Sequence, residues 1–176
     1  AREQGRVLID GSGFAVASAL QAGKAAPFEK RSIELRDGAD GSEGGIGILR
    51  ASTEAGSVCL VMKYATQGMG HGHFDKLSFS LYDERGEVIQ DYGAARWVNI
   101  DQKDGGGYLP ENKSFAKQSV AHNTVVVDER SHFDGHFPTA NDHHSERYFF
   151  LGGNMDVQAA SAKEFNAYPG VELHRT

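Results

Sequence analysis

Two histidines one residue apart, His71 and His73, stand in Gly70-His-Gly-His-Phe-Asp-Lys76, just ahead of the alternating run Leu77-Ser-Phe-Ser-Leu-Tyr82. On an extended backbone a period of two sends both imidazoles to one face. There they can share a metal, a proton or an anionic ligand. A loop with two solvated histidines fits the same letters, and HxH alone does not decide between the two. Two further polar residues lie where the patterning predicts packing. Asp91 closes the strand-like Glu87-Val-Ile-Gln-Asp91, and His122 precedes Asn123-Thr-Val-Val-Val127. An uncompensated buried polar group costs of order 2–7 kcal/mol, so each needs a partner. His73, Asp91 and His122 together make two imidazoles and a carboxylate, a normal environment for zinc with an open fourth position. Separate, individually hydrogen-bonded residues are the alternative.

The elements that must bring these residues together are short strands. Ser32-Ile-Glu-Leu35 alternates, and Ile46-Gly-Ile-Leu-Arg50 with Ser57-Val-Cys-Leu-Val-Met-Lys63 reads as a hairpin. Leu77–Tyr82 and Glu87–Asp91 form a second hairpin through Asp83-Glu-Arg-Gly86. A tight turn at Glu84-Arg85 sets Asp91 opposite Ser78, not His73, so a shared metal needs a bend at Gly70 or Gly72, or a bulge. Asn123–Asp128, Glu146–Leu151 and Met155–Ala159 are further expected strands. Residues 93–121 form a long irregular segment around Gly105-Gly-Gly107, with Asn112, Lys113 and Lys117 read as solvated or loop-stabilising. Residues 131–145 read as a polar loop whose His132, His136, His143 and His144 are expected to be solvated, the alternative being a second metal site. Many short strands between Gly, Asp and Asn turns predict an antiparallel β-sandwich.

Composition bounds the rest. At 176 residues, 39% hydrophobic and 24% charged, the chain can build a real core without disulfides or metal. Glycine is 22 of 176, above the usual ~7%, which favours tight turns and close backbone approaches. A net charge of -6 argues against a duplex nucleic-acid binder while leaving room for a local cationic pocket that holds an acidic ligand. The single cysteine, Cys59, sits in Val58-Cys-Leu-Val-Met62 and reads as a packing residue. No run approaches the ~18 apolar residues of a membrane span. Only the first 25 residues have helical texture, in Phe14-Ala-Val-Ala-Ser-Ala-Leu20. Residues 1–30 are therefore expected to be the end of a preceding helical domain and linker, with the sandwich over 31–176. Gly170–Thr176 reads as a strand cut in mid-flight, so the chain is expected to be an excerpt truncated at its C-terminus.

A glutamate shortly after the second histidine would suggest a cupin, but the chain has Leu77 and Ser78 there. The longer stretches HGHFDKLSFSLYD, QDYGAARWVNI, GGGYLPENKSFAKQSVAHNTVVVDE and the upstream GGIGILR instead resemble the heparinase II/III-like domain of polysaccharide lyases. Within that group they are closest to polysaccharide lyase family 17, the oligoalginate lyases. The likeness runs almost continuously from about residue 44 to 130. Asp91 and His122 follow His73 by 18 and 49 residues, which resembles the family's zinc-ligand spacing.

The resemblance implies β-elimination at uronate residues: a base takes the proton alpha to the carboxylate and an acid protonates the leaving glycosidic oxygen. It places His71 and Tyr108 at the catalytic cleft and suits Arg96 to a bidentate uronate contact. It assigns a structural zinc to His73, Asp91 and His122. It also implies an acidic polysaccharide or oligosaccharide partner, exolytic action on alginate oligomers, a bacterial periplasmic or envelope location and an α/α-toroid domain upstream. A homodimer stays open. On that footing the parent is an enzyme and the present piece is expected to be inactive. A heparin- or heparan-type glycosaminoglycan lyase and a non-catalytic, metal-containing carbohydrate-binding or structural sandwich are the alternatives.

Overall fold

The computed structural model describes residues 21–23, 30–54, 56–93, 110–154 and 156–176. Contacts divide the chain into residues 1–31 and residues 32–176, and the second unit carries the sheets. Its first sheet has five antiparallel strands in sequence order: β1 Ile33–Arg36, β2 Gly45–Thr53, β3 Gly56–Lys63, β4 Phe79–Asp83 and β5 Gly86–Ile89. A second sheet holds β6 Glu146–Leu151, β7 Ala159–Tyr168 and β8 Val171–Arg175, again antiparallel and in order. The expected β-sandwich is the architecture found.

Period two decides which side chains face inward. Gly47, Met62 and Phe79 are register partners on β2, β3 and β4, as are Leu49, Leu60 and Leu81. Met62 is buried and belongs to a core with Tyr64, Phe74, Leu77, Ala160, Ala162 and Leu173, against which Leu49, Leu60, Phe79 and Phe150 pack. Small residues bring the sheets close. A Cβ on Gly47 would lie 3.3 Å from Ala160 and 3.4 Å from Phe150, both on the opposite sheet. At one edge, Glu34 of β1 accepts the Arg147 guanidinium of β6 at 2.7 Å and the Tyr64 hydroxyl at 2.6 Å. Burial and that carboxylate push the Tyr64 phenol well above its usual pKa.

Three local expectations fail, each for a readable reason. Asn123–Asp128 is not a ladder strand; only Val127 and Arg130 form a bridge. Asp128 and Glu129 take left-handed φ of 50° and 58°, and the turn they make ends any strand there. Of the expected strand Met155–Ala159, residues 156–158 are not in a strand either, because β7 begins at Ala159. The Asn154 side-chain oxygen, Oδ1, accepts the backbone N–H groups of Asp156 (2.7 Å) and Val157 (3.2 Å) and curls the chain. Finally, the extended backbone that alternation of His71 and His73 requires is broken at His71, because Met69–His71 is a 3-10 turn. His71 and His73 are therefore not placed on one face by strand alternation; His71 is exposed and His73 half-buried.

Candidate functional site

The candidate site forms where the irregular chain between β3 and β4, the end of β5 and the segment after Ala121 meet. Gly72, between the two histidines, is buried because nothing larger fits: an added Cβ would lie 1.6 Å from the Gln67 carbonyl oxygen. Gln67, itself 1% exposed, donates its side-chain N–H to the His73 carbonyl at 2.8 Å. The backbone around His73 is thus fixed from within its own loop. From outside, Lys117 donates its ammonium to the Gly70 carbonyl at 2.9 Å, and the Phe74 N–H donates to the Lys117 carbonyl at 2.9 Å. Lys117 holds the turn that carries His71, which accords with its reading as a loop-stabilising residue.

His122 follows the 3-10 turn Ser119–Ala121 and donates its backbone N–H to Ser119 O at 3.1 Å. Its side chain is 3% exposed, and its Nδ1 contacts Asp91 Oδ1 at 2.9 Å and Oδ2 at 3.2 Å. Asp91 Oδ1 also accepts the Gly93 N–H at 2.8 Å. Burial opposes ionisation of Asp91, but the bonds from His122 and Gly93 outweigh it and hold the carboxyl below its usual range. Gly93 packs flat on the imidazole, and a Cβ there would stand 1.9 Å from the ring. The register expected from the Glu84-Arg85 turn is present at Asp83↔Gly86 and Tyr82↔Glu87, but a bulge then shifts the pairing to Leu81↔Ile89. That shift, with β5 ending at Ile89, frees Asp91 from the position opposite Ser78.

His73 completes the cluster. Its ring centroid lies 5.1 Å from that of His122, with the planes tilted by 49°. Burial is the largest influence on His73, and with the neighbouring His122 it pulls the imidazole pKa below its ordinary value, toward the neutral form that binds metals. The His122 Nε2 is buried without a hydrogen-bond partner among the described residues. Two imidazoles bound tetrahedrally to one zinc through bonds of 2.0–2.1 Å have ring centroids about 5 Å apart. The donor types, the ring spacing and the unpartnered nitrogen therefore fit a zinc ion. No group of three metal-capable side chains is already assembled around one point among the described residues; Asp91 meets His122 at Nδ1, while the unpartnered nitrogen is Nε2.

These residues line a cavity of about 470 Å³, within the range of small-ligand pockets. Lys63 and Asp75 form an ion pair at 2.6 Å on its wall. This pair carries no separate sequence signal, because it depends on β3 ending beside the turn before β4. Arg96 and Tyr108, the expected substrate-binding and catalytic residues, lie outside the described residues.

The four later histidines divide differently than expected. His132 is fully buried, not solvated. Its Nδ1 accepts the Lys76 N–H at 3.2 Å and its Nε2 faces the Val125 carbonyl at 3.0 Å, so it is a neutral imidazole with both nitrogens used. His136 is exposed and bonds Thr139 at 2.8 Å, while the His143 ring stacks on Phe133 at 5.7 Å. No second metal cluster forms among the described residues. Lys76 is 1% exposed, with its ammonium donating to His143 O (2.8 Å) and Ala65 O (3.2 Å); burial pulls its pKa down to about 8. Only the alternation of Leu77–Tyr82 hinted that its neighbours would be interior.

The chain is 51% identical over all 176 residues to an exo-oligoalginate lyase of Saccharophagus degradans, and equally to an alginate lyase of Stenotrophomonas maltophilia. It covers 24% of the length of each, so it corresponds to about a quarter of those proteins. A solved structure of a heparinase III gene product superposes with a TM-score of 0.62 at 16% identity, over 95% of this chain and 22% of that one. At that identity the likeness concerns the fold. Residues 33–176 match the family described as Heparinase II/III-like, C-terminal. With both sheets inside the matched span, this chain belongs to the heparinase II/III-like C-terminal domain family.

Proposed function

We propose that the chain is the β-sandwich portion of a polysaccharide lyase that cleaves alginate oligomers by β-elimination, acting from chain ends. The observation that carries this reading is 51% identity over the whole chain to an exo-oligoalginate lyase and to an alginate lyase. In the reaction a base removes the proton alpha to the uronate carboxylate. The C–H pair becomes the new C=C bond, and the C–O bond to the leaving sugar breaks as that oxygen is protonated. The proton is poorly acidic beside a carboxylate anion, so donors must neutralise that charge as the carbanion develops.

The residues divide this work by position. His71 is exposed on the turn that Lys117 fastens, a place from which an imidazole reaches a bound sugar. Tyr108 and Arg96 take the proton-transfer and carboxylate-binding roles in this reading. His73 and His122 would hold a zinc ion through their imidazoles, with the Asp91 carboxylate balancing its charge. When bound, such an ion would crosslink the two segments that carry His73 and His122 and stiffen the cleft wall. The relatives are about four times as long as this chain, and we assign the remaining cleft to an upstream helical domain of the full-length protein. A periplasmic location belongs to the same reading and is checked by cell fractionation.

The test is an elimination assay on the full-length protein, following absorbance of the new C=C bond with mannuronate, guluronate and heparan oligomers. Turnover of alginate oligomers and none of heparan is the expected result. Turnover of heparan alone overturns the substrate, and unchanged alginate turnover in both His71→Ala and Tyr108→Phe overturns the catalytic assignment. The present piece by itself is expected to be inactive.

A further inference from the structure

The second sheet places no side chain in the cavity, yet one of its residues ties the site's segments together. Arg175, on β8, sends the same guanidinium nitrogen, Nη1, to the carbonyl oxygens of Leu77 and Asn123, each at 2.6 Å. Its guanidinium also lies over the Phe79 ring at 4.9 Å. Leu77 follows His73 by four residues in an irregular stretch, with a left-handed φ of 58° and no ladder to hold it. Asn123 directly follows His122. The Asn123 side chain in turn donates to Phe79 O at 3.0 Å and to Gln90 O at 3.3 Å, the residue before Asp91. One cation and one amide therefore span the three segments that carry His73, Asp91 and His122.

We propose that Arg175 is a positioning residue for the His73–Asp91–His122 site, acting through Asn123 to set the distance between the two imidazole-bearing segments. This inference rests on the zinc reading above and adds to it a residue from the opposite sheet. Only a planar donor group held by packing suits the role: carbonyls that no strand pairs must be held together, and charge-assisted bonds are the strong ones available. A lysine would place a single flexible ammonium there. Groups that orient metal ligands without touching the metal typically change affinity 10–100-fold when removed.

The experiment compares the full-length wild type with Arg175→Met, Arg175→Lys and, as a control, Arg147→Met, whose partner Glu34 lies at the far edge of the sheets. Zinc affinity is measured by competition with a chromogenic chelator, and the thermal midpoint is measured on the metal-free proteins. The expected result is zinc binding weakened 10–100-fold in Arg175→Met, with partial recovery in Arg175→Lys. The metal-free midpoint should stay within a few degrees of wild type. Arg147→Met should show the reverse, a lower midpoint with wild-type affinity. Unchanged zinc affinity in Arg175→Met overturns the proposal, as does a loss of affinity that only tracks a loss of metal-free stability. Should Arg175→Met fail to fold, Arg175→Lys decides by the same two readouts. A wild type that binds no zinc defeats the zinc reading itself. Arg175 is then judged by a crystal structure of the variant, where an intact His122–Asp91 contact overturns the role and a broken one supports it.

Discussion

His122 and His132 are both removed from water, only ten residues apart, and their surroundings differ in one respect. His132 uses both ring nitrogens, one on the Lys76 N–H and one on the Val125 carbonyl. His122 uses one, on Asp91, and keeps Nε2 buried beside a cavity without a partner among the described residues. The first arrangement is saturated and holds loops in place. The second has bonding capacity left over, at a place where leaving it unused costs free energy. Burial of a histidine therefore says little about function; the unfilled nitrogen beside an anion and a second imidazole says much more.

This contrast can be broken most directly at the cluster. In the full-length protein, His122→Ala should abolish stoichiometric zinc and Asp91→Asn should weaken its binding 10–100-fold, read by metal analysis after dialysis, and both should lower elimination activity by at least tenfold. Full zinc in both variants would remove the distinction. Gly93→Ala should come next, because its Cβ falls within 1.9 Å of the His122 ring and must displace it. Overpacking of that kind costs about 1–3 kcal/mol, and zinc affinity should fall along with the denaturation midpoint.

At the saturated histidine the expected effect is on stability alone. His132→Leu should cost about 2–4 kcal/mol through two lost buried hydrogen bonds, measured by urea denaturation, while the folded fraction keeps zinc. The pH dependence follows the same contrast. Burial, the main cause, holds the folded His132 below its ordinary pKa of 6.5, so the unfolded chain takes up the proton first as pH falls. The stability His132 contributes is complete above pH 6.5 and drains away as pH drops through that value toward the folded pKa. Thermal midpoints between pH 7 and 5 should fall less steeply in His132→Leu than in wild type. The smallest effect belongs to Lys117→Met, which frees the Gly70 carbonyl beside His71. One hydrogen bond is worth about 0.5–1.5 kcal/mol, so a several-fold drop in kcat/KM with zinc retained is expected.

Much of the scaffold was legible along the chain. The alternation in Ile46–Arg50 and Ser57–Lys63 and the turn at Asp83–Gly86 mark hairpins that the structure contains. Asn123–Val127 misled because a run of valines satisfies strand patterning whether or not a partner strand exists, and here a left-handed turn at Asp128-Glu129 intervenes. His132 misled in the other direction: its polar, loop-like neighbours conceal that Lys76, 56 residues away, reaches it. For the site, residue type and spacing singled out His73, Asp91 and His122, but their approach depended on a bulge and on glycines whose hydrogens face a backbone oxygen and an imidazole.

What the residue order determined on its own was an antiparallel β architecture, the identity of the polar residues needing partners, and a family resemblance strong enough to suggest a reaction. Those follow from local rules, namely the two-residue period of strands, the turn chemistry of Gly and Asp, and the high cost of burying an unpaired polar group. Which histidine is saturated and which stays open, and that an arginine on β8 braces a site on the other sheet, was decided only in three dimensions. Hydrogen bonds between distant segments depend on how two sheets pack, and no local pattern encodes that distance.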